Sequence, residues 1–416
     1  MKSLLTKLSL FALLLFVYSC SQSERPAVPE DVGMSSDSLE YAESRMQEYI
    51  DEAKLAGIAV MTIKDDFLAH DETFGYADIE NQKPLQANTI YRIFSMSKPI
   101  TAVALMTLYE DDKFGLDDRV SDYIPEFAET MVYTPSDEGF TLEPQEDPMT
   151  IRHLLTHTSG LTYGWQPGSY VDSLYSAEGV VDWDASIGEK VKQLAGIPLK
   201  YQPGTRWEYG LSIDVAGYLI EVMSGMTFEE YLQDEVLEPL GMDDTGFYVP
   251  TEKHDRLSVL YTMNQEGDLI PLPGSKGITD DSAADFNEVF KQPAICFSGG
   301  AGLVSTVEDY GRFCRMLLHG GELDGNRILE EATVALIMSD QLPEGVKYAE
   351  GQGYGLAGSV AFENNSYRWS GAASTHFVVY RDDNMAVMGF SQFMPSTDSF
   401  FREYNGIVRN SLVIAD

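Results

Sequence analysis

Residues 100 to 108 offer a helix with no polar face. Ile100, Ala102, Val103, Ala104, Leu105, Met106 and Leu108 cover nearly its whole circumference. A helix that is apolar almost all round belongs in the middle of a domain, because any solvent-facing side would leave apolar side chains in water. The rest of the chain must supply elements to cover it. At 416 residues, 44% of them hydrophobic, the chain is long enough for a sizeable core in one large domain or two moderate ones.

Covering elements can be read on both sides of that helix. Residues 36 to 55 carry apolar side chains at helical spacing (Leu39, Ala42, Met46, Ile50), with Ser35, Ser36 and Asp37 as candidate caps. Two strand-like runs, 57 to 64 and 67 to 77, read as a hairpin turning at Asp65 and Asp66. Residues 306 to 319 predict a helix opened by Ser305 or Thr306, with Glu308 and Asp309 in its first turn. Strand-like runs follow at 353 to 362, 367 to 370, 375 to 380 and 385 to 393, the last pair joined at Asp382-Asp383-Asn384. Residues 396 to 414 close as an amphipathic helix. From about 111 to 289, helical segments alternate with long acidic loops such as 134 to 149 and 251 to 285. The expected fold is α/β (α+β). An antiparallel sheet is built from N- and C-terminal strands (35–110 and 290–416) and flanked by helices, with a mainly helical inserted subdomain (111–289). There is no internal repeat and no glycine fingerprint for a nucleotide.

The first nineteen residues read as a targeting segment. Lys2 and Lys7 precede an apolar run from 8 to 18, too short to cross a bilayer, which takes roughly 20 residues. The run ends in Ser19-Cys20, which resembles a bacterial lipoprotein signal that leaves a lipid on Cys20. An ordinary secretory signal cleaved nearby is the other reading. Residues 20 to 34 are then a tether, polar and carrying Pro26 and Pro29. The expected location is the bacterial cell envelope outside the cytoplasmic membrane, in periplasm or outer membrane, or secreted. Lys plus Arg is 28 and Asp plus Glu 66, a formal net charge of −38. That balance excludes a nucleic-acid backbone as the expected partner, and electrostatic docking on an anionic bilayer, leaving a lipid anchor as the expected membrane contact. Cys296 and Cys314 can pair or stay free. His153 and His157 are four apart, but no Glu follows His153, so a zinc-protease arrangement is absent. No metal and no organic cofactor is expected.

Ser95-Met96-Ser97-Lys98 opens the buried helix. A helix N-terminus leaves backbone N–H groups free and favours negative charge. Lys98, three residues on, lies on the same face about one turn away. A serine hydroxyl becomes nucleophilic when a neighbouring base takes its proton, and a lysine can be that base where burial disfavours its ammonium. The plainer reading is a helix cap with a snorkelling lysine.

Two further stretches bear on that choice, Thr150-Ile151-Arg152-His153-Leu154-Leu155-Thr156-His157-Thr158-Ser159-Gly160-Leu161 and Gln202-Pro203-Gly204-Thr205-Arg206-Trp207-Glu208-Tyr209. With Ser298-Gly299-Gly300-Ala301-Gly302-Leu303 and the Ser95-x-x-Lys98 pair, they resemble the serine β-lactamase and penicillin-binding-protein superfamily, in its class C-like branch, over about residues 34 to 409. The resemblance implies that Tyr209 faces Ser95 and Lys98 and shuttles protons. The family's asparagine is missing from Tyr209-Gly210-Leu211-Ser212; Ser212 either substitutes for it or caps the next helix. The third family motif falls on Trp369-Ser370-Gly371-Ala372, with Trp369 where a cation is usual. By the same resemblance the N–H groups of Ser95 and Ala372 form the oxyanion hole. Trp369 can equally be a packed strand aromatic, and His376 either reaches the site mouth or is an ordinary strand histidine. β-Lactams and D-Ala-D-Ala peptides carry a carboxylate beside the scissile amide, so loss of the cation points to esters or amides that are neutral there. Arg206 and Arg368 read first as surface or structural arginines and second as local cations. The expected function is a serine hydrolase, a carboxylesterase or acyltransferase on a small-molecule ester or amide. A β-lactamase or D-Ala peptidase, and a catalytically idle peptidoglycan-binding lipoprotein, are the alternatives.

Overall fold

A computed structural model describes residues 28–137, 139–273 and 285–412. The targeting segment and Cys20 lie outside the described residues. Eight strands form the main sheet: β1 (Gly57–Lys64), β2 (Phe67–Asp78), β3 (Lys83–Pro84), β4 (Gln352–Tyr354), β5 (Ser359–Ala361), β6 (Ser366–Gly371), β7 (Thr375–Tyr380) and β8 (Met385–Phe390). Their spatial order is β4-β5-β6-β7-β8-β1-β2-β3, and neighbours run antiparallel. The two ends of the chain meet where β1 pairs with β8, with Met61 opposite Met388. Asp65 and Asp66 turn the first hairpin with φ of 50° and 68°, the left-handed pair that suits strand twist and that short acidic side chains tolerate.

Five helices place the site: α1 (Ser36–Asp51), α2 (Ser97–Glu110), α3 (Ser212–Ser224), α4 (Val307–Leu318) and α5 (Ser399–Ser411). On one face of the sheet, Ile58, Val60, Val378 and Val387 pack with Leu39 and Met46 of α1 and Phe400 and Tyr404 of α5. On the other face, Ala59, Met61, Ile63 and Met388 pack against α4 and α2. Both faces are covered, which is why β1 reads as an unbroken apolar run rather than an alternating one. α2 is the apolar helix, buried from Ser97 through Met106. It packs against α3 of the insert, and one continuous core runs from Met61 and Phe377 of the sheet through Leu105 to Leu219 and Val236.

Several local expectations are corrected. The stretch expected as a loop at 134 to 149 contains a hairpin, Val132–Ser136 paired with Gly139–Glu143, whose Phe140 stacks on Tyr170 at 4.4 Å. Pro135 and the acidic composition hide it in the sequence. The loop expected at 251 to 285 holds a second small hairpin, Tyr261–Met263 with Leu269–Pro271. The run 353 to 362 breaks into β4 and β5, because Gly355 and Gly358 turn the chain: a Cβ on Gly358 would sit 2.4 Å from the Tyr367 ring. The stretch expected as a tether, residues 20 to 34, overlaps the folded chain at its end. Val32 and Met34 are buried and Met34 bridges to Leu412, so the fold has begun before residue 35. Cys296 and Cys314 are buried, separate and unbridged.

Candidate active site

The chain enters α2 through a tight turn. Phe94 adopts φ 41°, a conformation costly for a non-glycine residue. Phe286 and Phe290 hold it, their rings edge-on at 5.4 and 5.8 Å. The Ser97 hydroxyl donates to the Phe94 carbonyl and accepts from the Leu303 N–H. Ser95 sits at the crest of this turn, and Pro99 falls in the first helical turn, where its missing N–H costs no helix bond.

Lys98 is fully buried. Its ammonium donates to Ser95 Oγ at 3.1 Å, to the Tyr163 hydroxyl at 3.0 Å and to the Gly300 carbonyl at 2.7 Å. Three donors with three acceptors satisfy the group. The Tyr209 hydroxyl donates to Ser95 Oγ at 2.7 Å, and its ring lies 4.6 Å from Lys98 Nζ. Residues from three separate stretches thus converge on one oxygen.

Local structure explains how Tyr209 arrives there. Backbone bonds from Lys200, Gly204, Glu208 and Leu211 to the carbonyls of Gly160, Thr158, His157 and Thr162 lash the two motif stretches together. Side chains are excluded at two crossings: a Cβ would meet the Tyr201 carbonyl at 2.2 Å on Gly160, and the Leu161 carbonyl at 2.5 Å on Gly210. Lys200 clamps the pair further through Glu208 at 2.6 Å and buried Asp172 at 3.1 Å. His157 lies under Tyr209 with ring centres 4.9 Å apart. Burial, then the Lys98 charge, hold its imidazole well below the ordinary value, so it is neutral. His153 serves a capping box with Thr150 rather than the cleft.

Tyr163 was not singled out from sequence. It lies two residues past the motif ending at Leu161, and only the turn at Gly160 aims it at Lys98. Burial first, then Tyr209 and Asp214, push its phenol well above the ordinary value, so it meets Lys98 as a neutral hydroxyl. Asp214 is buried behind it. Its carboxylate accepts from Ser298 Oγ and from the Gly300 N–H, and so fixes the carbonyl that Lys98 uses. Burial raises the Asp214 carboxyl above the ordinary range, while Ser298 and Lys98 pull the other way.

Ser95 opens onto a cleft of about 700 Å³. Trp369, Ser370, Gly371, Ala372 and His376 line it, as do Trp165, Trp207 and Tyr348, which the sequence did not mark. β6 passes directly beside the Ser95 turn, since a Cβ on Gly371 would lie 2.2 Å from the Ile93 carbonyl. Trp369 fits both readings, packing 5.3 Å from Tyr354 and 5.6 Å from Tyr209 while forming the cleft wall. Ser370 and His376 face each other across β6 and β7. His376 borders the cleft, but its Nδ1 is bonded to Ser370 Oγ at 2.8 Å and its Nε2 to the Thr397 carbonyl at 3.0 Å. It is a buried strand histidine that orients Ser370. Ser212 is corrected: it is wholly buried, is not part of the cleft lining, and shares a 2.8 Å bond with Ser159. Nor does its side chain cap α3, which begins after Leu211 without a side-chain cap. Arg206 lies over the Tyr201 ring, 4.7 Å away.

A sequence model of the family described as Beta-lactamase matches residues 42–408. Protein Rv1367c of Mycobacterium tuberculosis is 32% identical over 338 residues, covering 77% of this chain and 79% of its own length. Esterase EstB of Burkholderia gladioli is 32% identical over 268 residues, 62% of this chain and 64% of its own. Among solved structures, EstCE1, a hydrolase with promiscuous acyltransferase activity, superposes with a TM-score of 0.76 at 25% identity, covering 91% of this chain and 99% of that one.

Proposed function

The chain belongs to the Beta-lactamase family, and from that premise we propose that it is a serine esterase or acyltransferase that forms an acyl-enzyme on Ser95. The observation that carries the reading is the double hold on Ser95 Oγ, by the Tyr209 hydroxyl at 2.7 Å and the Lys98 ammonium at 3.1 Å, at the floor of an open cleft. The names of similar proteins, an esterase and a hydrolase with acyltransferase activity, support the reaction class.

Ser95 Oγ attacks the ester carbonyl. The Tyr209–Lys98 pair reacts in the form that holds one proton fewer than phenol plus ammonium; that form takes the serine proton and returns it to the departing alcohol, so no net proton is lost in acylation. The N–H groups of Ser95 and Ala372 receive the oxyanion. Water then releases the acid, or a second alcohol carries the acyl group away. Lys98 serves as the proton partner of Tyr209: 4.6 Å from its ring, the protonated amine stabilises negative charge on the phenol oxygen in the form that receives the serine proton. Trp369 in place of a cation favours esters and amides that are uncharged next to the scissile bond. We propose also that cleavage before Cys20 and lipidation of that cysteine anchor the enzyme outside the cytoplasmic membrane.

The test is mass spectrometry after a fluorophosphonate probe and, separately, a panel of acyl esters. The expected result is one adduct on Ser95 and retained acyl mass from esters. Equal ester turnover by wild type and Ser95→Ala would remove the enzyme reading. Rapid opening of a chromogenic cephalosporin with poor cleavage of p-nitrophenyl esters would move the assignment to a β-lactamase. Radiolabelled palmitate incorporation that survives Cys20→Ala would remove Cys20 as the attachment point, and no incorporation in the wild type would remove the anchor.

A further inference from the structure

We propose that the substrate carries a carboxylate remote from the scissile bond, and that Arg368 receives it. The inference rests on the hydrolase reading and narrows its substrate class. Near Ser95 the cleft is walled by Trp165, Trp207, Tyr209 and Trp369, and the cation there, Lys98, is fully buried with its donors taken. Among the described residues, no cationic side chain with a free donor lines that end.

The cleft also holds two arginines, Arg368 and Arg402. Arg402 is spoken for by Asp398, at 3.3 Å. Arg368 is half-buried, and among the described residues no carboxylate oxygen lies within 4.0 Å of it. Its guanidinium donates to the neutral side-chain oxygen of Gln352 at 2.9 Å. That bond uses one of five donors, in a side chain that lines the cleft. In a chain with a formal charge of −38, acidic partners are abundant, so a half-desolvated cation facing a neutral amide is conspicuous. Gln352 holds the fork, and Tyr348 lines the same cleft, where an incoming acid would meet the remaining donors.

The position sets the shape of the substrate. Arg368 precedes Gly371 by three residues on β6, and Gly371 is the strand residue pressed against the Ser95 turn. At about 3.3 Å per residue, the two are roughly 10 Å apart along the strand. Arg368 and Ser370 share a strand face, since alternate side chains point the same way. A substrate that is apolar beside its scissile carbonyl and ends in a carboxylate several bonds away fits both ends of the cleft.

The experiment compares p-nitrophenyl half-esters of linear dicarboxylic acids, four to ten carbons long, with the same compounds methylated at the free acid. A second series places the carboxylate on the alcohol arm, as ω-carboxyalkyl acetates against their methyl esters. In one series the ratio of kcat/KM, charged over capped, is expected to exceed tenfold and to peak at one chain length. Arg368→Gln should bring that ratio to about one or below, and Arg368→Lys should keep part of it. Fluorophosphonate labelling of Ser95 in each variant establishes that the site is intact. A wild-type ratio at or below one at every length in both series, or a ratio that Arg368→Gln leaves unchanged, overturns the proposal while leaving the esterase standing. No turnover of any ester together with an unlabelled Ser95 overturns the hydrolase reading and this one with it.

Discussion

Gly371→Ala tests whether the spacing between β6 and the Ser95 turn governs the reaction. The added methyl would lie 2.2 Å from the Ile93 carbonyl oxygen and 2.3 Å from Thr375 Oγ1. Unstrained carbon contacts settle at roughly 3.5 Å, so strand or turn must yield by about 1 Å. Both obstacles are held: Ile93 lies between a buried strand residue and strained Phe94, and Thr375 is fixed in β7 opposite Gly371. The shift therefore separates the Ala372 N–H from Ser95. A misplacement of about 1 Å costs roughly 10²-fold in rate, or ~2.7 kcal/mol of transition-state stabilisation. The expected result is a kcat/KM on p-nitrophenyl butyrate reduced about a hundredfold, with thermal stability lowered by the ~1–3 kcal/mol typical of overpacking. Gly406→Ala is the control. It sits in α5 with nothing within 4 Å of an added Cβ, and should leave kcat/KM unchanged while stabilising the helix by up to ~1 kcal/mol. A folded Gly371→Ala enzyme within about threefold of wild type would refute the argument that this glycine keeps the oxyanion donors in register.

Tyr163→Phe removes one of three acceptors from Lys98 but keeps its ring, 5.4 Å from the ammonium. Losing a hydrogen bond to a charged group costs ~1.5–3 kcal/mol, so kcat should fall about tenfold to a hundredfold with KM little changed; an unaltered kcat would show the contact to be idle. Burial pushes the Asp309 carboxyl from 3.8 up to about 6. The folded protein then holds a proton there that the unfolded chain releases, so this group's stability is full below 3.8 and lost as pH rises through about 6. Asp309→Asn retains an acceptor for the Asp244 N–H and the Thr245 hydroxyl; urea unfolding should find it more stable than wild type at pH 7 by up to ~3 kcal/mol, with the advantage gone at pH 4. His376 shifts in the opposite sense, pushed by burial from 6.5 down to about 4. Its folded form refuses a proton that the unfolded chain accepts, so its contribution is present above 6.5 and lost as pH falls through about 4. His376→Gln should therefore lose less stability than wild type between pH 7 and pH 4, and equal losses in the two proteins would contradict a buried neutral imidazole.

The parts of the site that could be read directly were those bound by local periodicity. Ser95 and Lys98 are three residues apart across the entry to α2, Ser95 in the 3-10 turn Phe94–Met96 and Lys98 in the first helical turn, so the contact between them is local. Tyr209 and the Trp369 to Ala372 segment were reached through a family likeness, because nothing in their own neighbourhoods points to Ser95. Ser212 was misjudged for the same reason: spacing from Tyr209 puts it near, yet the start of α3 turns it onto Ser159. Tyr163 and Trp165 carry no local signal at all, and Arg368 read only second as a local cation, after a surface or structural arginine. A tyrosine, a tryptophan and an arginine in loop and strand look like any others until the cleft is assembled. The hidden hairpin, Val132–Ser136 with Gly139–Glu143, has a related cause, since strand pairing is a contact between segments and its own residues are mostly exposed.

Residue order alone determined the buried helix, the hairpin near one end, the meander near the other, and hence an antiparallel sheet closed by both halves of the chain. Those features follow from hydrophobic period and turn chemistry, which act over a few residues. Tertiary structure decided which polar groups share the Lys98 ammonium, which way Ser212 faces, and which arginine in the cleft has no acid beside it among the described residues. Those outcomes depend on distances of a few ångströms between segments as much as a hundred residues apart or more, and such distances exist only once the core has packed.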